Sequence, residues 1–252
     1  MKVVRFSKDN NTLYGILEKN IVHALRGTPY RHIDKTGKSY TPDEVKLLSP
    51  CKPSKVVALG VNYRSHGEEM SHRIPEEPLI FIKPSTSVIG PEADIVYPSI
   101  SQRVDYEGEL GVVIGKRARY VPPQDTNKYI FGYTCVNDVT ARDIQARDKQ
   151  WTRGKGFDTF CPIGPFIETE LNPGNLMLET RLNGERKQYT STADLVFAVD
   201  ELVSFISQVM TLLPGDVIAT GTTAGVGPMQ PDDMVEVEIE GIGILKNYVV
   251  KA

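Results

Sequence analysis

The chain lacks the marks of several large protein classes. It has no run approaching the roughly 20 apolar residues that cross a bilayer; the longest apolar stretches, residues 56–61 and 79–82, are far shorter. Its start, MKVVRFSKDN, carries neither a continuous apolar segment nor a small-residue cleavage site, so a cytoplasmic protein is expected. Cysteine is scarce: Cys51, Cys135 and Cys161 are odd in number, widely spaced and without a CxxC, which fits reduced core thiols rather than a disulfide framework or a zinc site. Positive charge is not in excess, since 29 Lys and Arg face 32 Asp and Glu for a net charge of −3. No extended basic surface for counterion release follows, and nucleic acid is not an expected partner. No GxGxxG follows a strand, and residues 111–116 only approach a phosphate-binding loop, with the wrong glycine spacing and Arg117 where Ser or Thr is needed. His66 and His72 do not form HExxH, and GxSxG is absent, which removes the zinc-peptidase and serine-hydrolase readings.

What is present is an ordinary globular composition, 40% hydrophobic and 24% charged over 252 residues, enough for one large domain with a small appendage. Alternation at residues 3–6, 13–17 and 21–25, broken by turn residues at Asp9-Asn10-Asn11 and Lys19-Asn20, predicts a small N-terminal β-meander over 1–52. Pro42, Pro50 and Pro53 punctuate its exit, and a main domain is expected over 53–252. There, strand-like runs recur at 79–82, 110–114, 131–136, 177–182, 217–220 and 235–239. One apolar helical face, from Leu202 to Leu213, has Asp200 as its expected N-cap and Pro214-Gly215 as its stop. Without regular strand–helix alternation, the pattern predicts a mixed α/β chain dominated by β, a roll or sandwich rather than an open doubly wound sheet.

Chemistry concentrates in VDYEGELGVVI, residues 104–114, where Glu107 and Glu109 sit two apart at the start of a strand and so share a face. Two close carboxylates repel unless a cation or a shared proton compensates them. Asp138 ends another apolar run, and three carboxylates with waters suit octahedral magnesium or manganese. Taken alone, the pair fits a solvated strand face equally well.

The stretches GVNYRSHGEEM, PLIFIKPS, VDYEGELGVVIGK, GYTCVNDVTARD, RGKGFDTFCPIGP, LNGE, LLPGDVIATGT and GVGP resemble, in order and spacing, those of the fumarylacetoacetate hydrolase family, over residues 56 to 250. The first 50 residues are similar to the small N-terminal domain of many bacterial members. The resemblance implies that family's β-sandwich roll, with Glu107, Glu109 and Asp138 as ligands of magnesium or manganese. It further implies a dyad of His66 and Glu69, one helical turn apart, with His66 as general base. Lys155 corresponds to the family's active-site lysine, Arg142 and Gln145 to positions that contact a substrate carboxylate, and Lys83 and Thr222 to positions near the site. The charged, proline-containing segment 68–78 is expected to act as a lid over the dyad.

These parts imply a small 2-oxo acid substrate and a divalent ion as Lewis acid, and the resemblance alone implies a homodimer. The leading expectation is a metal-dependent hydrolase that cleaves a C–C bond in 2,4-dioxo acids such as acylpyruvates, with water activated by His66. The alternatives are 2-hydroxyhepta-2,4-diene-1,7-dioate isomerisation in aromatic catabolism, decarboxylation of 5-oxopent-3-ene-1,2,5-tricarboxylate or oxaloacetate, or a non-catalytic sensor of metal and metabolite.

Overall fold

The computed structural model describes residues 1–69 and 74–252; Met70, Ser71, His72 and Arg73, the centre of the expected lid, lie outside the described residues. The chain opens as a meander, β1 (Lys2–Lys8), β2 (Asn11–Glu18), β3 (Ile21–Leu25) and β4 (Lys35–Tyr40), with β5 (Lys46–Leu48) returning beside β1. Asp9-Asn10 and Lys19-Asn20 all take positive φ, the tight-turn conformation whose twist matches that of the flanking strands.

Then follow β6 (Lys55–Leu59), α1 (Arg64–Glu69), β7 (Ile80–Pro84), β8 (Val88–Ile89), β9 (Asp94–Tyr97), β10 (Val104–Tyr106), β11 (Gly108–Ile114), β12 (Ile130–Asn137) and β13 (Thr140–Ala141). The remainder comprises α2 (Arg142–Asp148), α3 (Thr152–Lys155), β14 (Cys161–Glu168), β15 (Met177–Leu182), β16 (Glu185–Ser191), α4 (Val199–Val209), β17 (Val217–Thr222), β18 (Gly227–Met229), β19 (Met234–Ile239) and β20 (Gly243–Lys251). Every strand-like run of the sequence overlaps one of these strands, with Leu79 alone just outside β7.

Among the described residues, one sheet runs β4-β3-β2-β1-β14-β12-β11-β17-β6-β7, with β5 and β8 attached at β1 and β14. The meander extends this sheet through Lys2 and Val3, which pair with Glu168 and Ile167. A second sheet, β16-β15-β19-β20-β9, packs on its central strands, and β13-β10-β18 form a small third one. Leu110, Val112 and Cys135 of the large sheet meet Leu178, Val237 and Leu245 of the second and Leu202 and Ile206 of α4. Val113, Val136 and Val217 point the other way, onto Val3, Ile16 and Cys161. Strand β11 is therefore buried on both faces, which is why it reads as a continuous apolar run. Each such fully buried Val, Leu or Ile contributes about 1.5–3 kcal/mol. The architecture is the β-dominated two-sheet fold expected from the sequence.

One helix departs from expectation. Ala198, not Asp200, is the N-cap of α4; Asp200 lies in the first turn, and the Glu201 carboxylate accepts from the Ala198 N–H at 2.8 Å. The helix also stops at Val209, because Leu212 exchanges backbone hydrogen bonds with Ala118 at 2.9 and 3.0 Å, a pairing that helical geometry would forbid. The three cysteines are buried and unpaired, and burial pushes the thiols of Cys51 and Cys161 up to about 12, which keeps them protonated and inert. Among the described residues no helix is long and apolar enough to cross a membrane.

Candidate active site

Antiparallel pairing of β11 with β12 places Gly108 opposite Asn137, and this register brings Glu107 and Glu109, at the head of β11, against Asp138, just beyond β12. The Asp138 N–H donates to the Glu107 carbonyl at 2.8 Å, and the Asn137 side-chain oxygen accepts from the Glu107 N–H at 2.9 Å. The three carboxylates offer oxygens within 4.8 Å of one another, and all three are buried.

Cations surround them unequally. The Lys155 ammonium, delivered by α3, donates to Glu107 Oε2 at 2.7 Å and to Asp138 Oδ2 at 2.6 Å. Lys83, from β7, donates to Asp138 Oδ1 at 2.5 Å and to the Val139 carbonyl at 3.0 Å. Arg142, at the start of α2, reaches Glu107 Oε1 at 2.5 Å, Gln145 Oε1 at 2.8 Å and Asp105 Oδ2 at 3.0 Å. Asp105 in turn is gripped through both oxygens by Arg103 at 2.9 and 3.1 Å. Burial disfavours the charge on Glu107, yet Lys155 and Arg142 outweigh it and hold the carboxyl well below its ordinary range. Burial likewise opposes the Lys155 charge, but Asp138 and Glu107 keep it protonated.

Glu109 is different. Its Oε2 accepts from the Gly221 N–H at 2.7 Å, while Oε1 is buried with no hydrogen-bond partner among the described residues. Burial, followed by repulsion from Asp138 and Glu107, pushes this carboxyl well above its ordinary range. An orphaned carboxylate oxygen facing two further carboxylates is what a hard divalent cation satisfies, so this all-oxygen donor set fits magnesium or manganese.

A cavity of about 410 Å³ opens beside the triad, lined by His66, Glu107, Arg142, Gln145, Lys155 and Thr222, with Phe81 and Trp151 as aromatic walls and Lys149 also on its lining. His66, on α1, is 7% exposed, and its Nδ1 lies 3.6 Å from Glu69 Oε2, too far for a hydrogen bond. Glu69 accepts instead from the Gly225 N–H at 3.0 and 3.2 Å and lies outside the cavity lining. Burial lowers the affinity of His66 for a proton, more than Glu107 and Glu69 raise it. Of the two residues whose sequence placement was least specific, Thr222 lines the cavity with its hydroxyl donated to the Gly108 carbonyl at 2.9 Å. Lys83 stands behind the triad, fully buried and committed to Asp138.

Several residues around the site escaped the sequence reading. Asp105 fixes Arg142; Asn137 fixes the Glu107 backbone; Gln188, from the second sheet, accepts from the Gly108 N–H at 2.9 Å and donates to Thr222 Oγ1 at 2.8 Å. A Cβ on Gly108 would lie 2.1 Å from Thr180 Oγ1, so the second sheet closes on this strand at a distance only glycine permits. The VDYEGE run could have nominated Asp105 as a third acidic position; nothing local marks Gln188.

Residues 55–250 match the family model described as fumarylacetoacetate (FAA) hydrolase C-terminal, and residues 1–50 match one described as Rv2993c-like, N-terminal. A mitochondrial oxaloacetate tautomerase of Rattus norvegicus is 42% identical over 219 residues, 82% of this chain and 70% of that protein. The crystal structure of a 2-hydroxyhepta-2,4-diene-1,7-dioate isomerase from Mycobacterium marinum superposes with a TM-score of 0.94 at 41% identity, covering 100% of this chain and 98% of that one. A maleylpyruvate hydrolase of a Sphingobium species, crystallised with manganese(II) and pyruvate, superposes at 0.82 with 28% identity over 100% of both chains.

Proposed function

The chain belongs to the fumarylacetoacetate hydrolase family of enzymes, and from that premise we propose that it moves a proton between carbon and oxygen of a 2-oxo acid: a metal-dependent tautomerase or isomerase of small dicarboxylates. The observation that carries this reading is the likeness to a tautomerase and an isomerase at 41–42% identity, against 37% for a fumarylacetoacetate hydrolase of Exiguobacterium antarcticum and 28% for the maleylpyruvate hydrolase. Hydrolysis of a 2,4-dioxo acid, the leading expectation from sequence, asks for a water activated by a coupled His66–Glu69 pair. A separation of 3.6 Å, with Glu69 turned to the Gly225 N–H, favours a simpler use of the imidazole.

Glu107, Glu109 and Asp138 would hold magnesium or manganese, which when bound supplies a Lewis acid for a 2-oxo carboxylate. His66 stays neutral because it is buried, so it accepts the proton from C3 of the keto form, the C–H electron pair becoming the C2–C3 double bond and the C2–O π pair moving onto oxygen, which then takes the proton back from the imidazolium to give the enol. Its Nδ1 faces Glu69, which leaves Nε2 as the nitrogen for that proton. Lys155 has two of its three N–H donors on carboxylates; the third meets the C2 oxygen as it becomes negative. Arg142 has five N–H groups, three of them held, and the other two are available to a substrate carboxylate. Lys149, on the cavity lining and without an ion-pair partner among the described residues, is suited to the distal carboxylate of a dicarboxylate. Phe81 and Trp151 exclude water from the face between them.

The test follows enol-oxaloacetate by its ultraviolet absorbance with magnesium-loaded protein, while carbon dioxide is collected and acetylpyruvate is incubated in parallel for acetate. Accelerated enol loss without carbon dioxide or acetate supports proton transfer. Acetate with pyruvate, or carbon dioxide in step with substrate loss, combined with uncatalysed enol decay, would replace it by hydrolysis or decarboxylation.

A further inference from the structure

A second cavity, of about 900 Å³, lies where the N-terminal meander meets the connection into β6 and the turn that leaves β11. Five cationic residues line it, Arg5 and Arg31 from the meander, Lys52 from the connection, and Lys116 and Arg117 from the turn that leaves β11; no carboxylate lines it. Among the described residues none of the five is in an ion pair; the one polar contact of their side chains is a long 3.4 Å hydrogen bond from Arg5 to the Ser49 carbonyl. Elsewhere cations on this chain find anions: Arg181 is held by Glu179, Glu236 and Glu238, Arg153 by Asp148, Lys35 by Glu18. A chain of net charge −3 therefore gathers five unneutralised positive side chains around one cleft. Like charges so placed focus a positive potential into the cleft, which draws anions to it.

We propose that this cleft binds a polyphosphate anion. Three of the cations are arginines, whose planar forks match paired phosphate oxygens, and five charges exceed what a mono- or dicarboxylate offsets. The hydroxyls of Thr12 and Thr28 line the same space and make no hydrogen bond among the described residues, so they add neutral donors. The cavity is more than twice the size of the one beside the triad, and Tyr14 supplies an aromatic wall; a phosphate chain would leave room for a nucleoside against that ring. The shared chemistry is the phosphate chain, whether of a nucleotide or of free pyrophosphate. The absence of a phosphate-binding loop in the sequence is no obstacle, because the charges come from four separate stretches of chain that only the fold assembles.

The proposal is tested by isothermal titration of the full chain, stripped of metal with EDTA so that no phosphate is drawn to the triad, using sodium pyrophosphate and ATP separately at low ionic strength. Saturable binding of one ligand per chain is expected, weakening as salt rises. The double variant Lys116→Glu/Arg117→Glu should bind at least about tenfold more weakly, as one lost charge-assisted contact of about 1.4 kcal/mol implies. Arg31→Ala should weaken binding less, and unchanged thermal melting of both variants checks the fold. Equal affinities assign recognition to the phosphate chain alone, and tighter ATP binding adds the nucleoside; either supports the site. Failure of both probes to bind, or affinity unchanged in both variants, overturns it, independently of any result on oxo acids.

Discussion

At the head of β11, Glu107 and Glu109 are buried among lysines, an arginine and backbone donors, whereas beyond its other end Lys116 and Arg117 stand exposed with no ion-pair partner among the described residues. One strand thus carries charge of opposite sign under opposite solvation. Buried carboxylates are tolerable only when paired, since desolvation of an isolated one costs several kcal/mol; exposed guanidinium and ammonium groups remain solvated and can wait for a ligand at little cost to folding. On the buried side the informative atom is therefore the exception among the carboxylate oxygens, Glu109 Oε1, which has no hydrogen-bond partner among the described residues. On the exposed side the informative feature is collective, because any one solvated cation would mean nothing.

The sharpest way to break this contrast is at its exception. Glu109→Gln removes one of the proposed metal ligands and should lower magnesium-dependent enol turnover by about 10³-fold or more, several kcal/mol of transition-state stabilisation, with manganese binding lost by titration. Because the substitution also removes a strained buried acid, the metal-free variant should melt no lower than the parent. Next in size, His66→Gln should cost about 10²-fold or more in kcat/KM. Burial sets the His66 proton affinity below its ordinary value of 6.5, so the acid limb of kcat/KM should fall below that pH. The same sign holds for stability: the contribution of neutral His66 is complete above 6.5, where folded and unfolded forms are both deprotonated, and is lost as pH falls through the lower folded value. Denaturant titrations across that window should be flatter for His66→Gln.

A smaller effect is expected from Lys149→Gln, a raised KM for oxaloacetate of about tenfold with kcat little changed, the mark of lost ground-state contact to a distal carboxylate. A monocarboxylic 2-oxo acid should show no such change. Smallest of all, the charge reversal at Lys116 and Arg117 should leave enol turnover within about twofold, since the two ends of a seven-residue strand are on the order of 20 Å apart. A large loss of turnover there would mean that the two regions are not independent.

Much of this was legible in the chain. The period-2 runs gave the strands, and the Asn- and Lys-containing turns gave the first two hairpins, because both signals are local. The three carboxylates stood out because two of them share a strand face at the head of an apolar run, and the family resemblance singled out all three. Helix α4 was misjudged at both ends for the same reason: Glu201 captures the Ala198 N–H, and Ala118, far away in sequence, claims Leu212. Asn137, Gln188 and Gly221 act on the triad through backbone or amide contacts formed across 30, 80 and 112 residues, and no spacing rule reaches that far. The cationic cleft is invisible for a related reason, being assembled from residues whose net charge along the chain is unremarkable.

Gln188 has one more consequence. A strand that presents a carboxylate at every second position would, on slipping by one residue, drive its charges into the apolar layer, and on slipping by two would offer its carboxylates one step out of phase with Asp138. The amide of Gln188 clasps the Gly108 N–H, Thr222 Oγ1 and the Thr223 carbonyl together, touching β11 and the end of β17 at once. It works as an alignment key: the second sheet, which contributes no carboxylate to the triad, decides where along its own axis the strand that bears the ligands comes to rest.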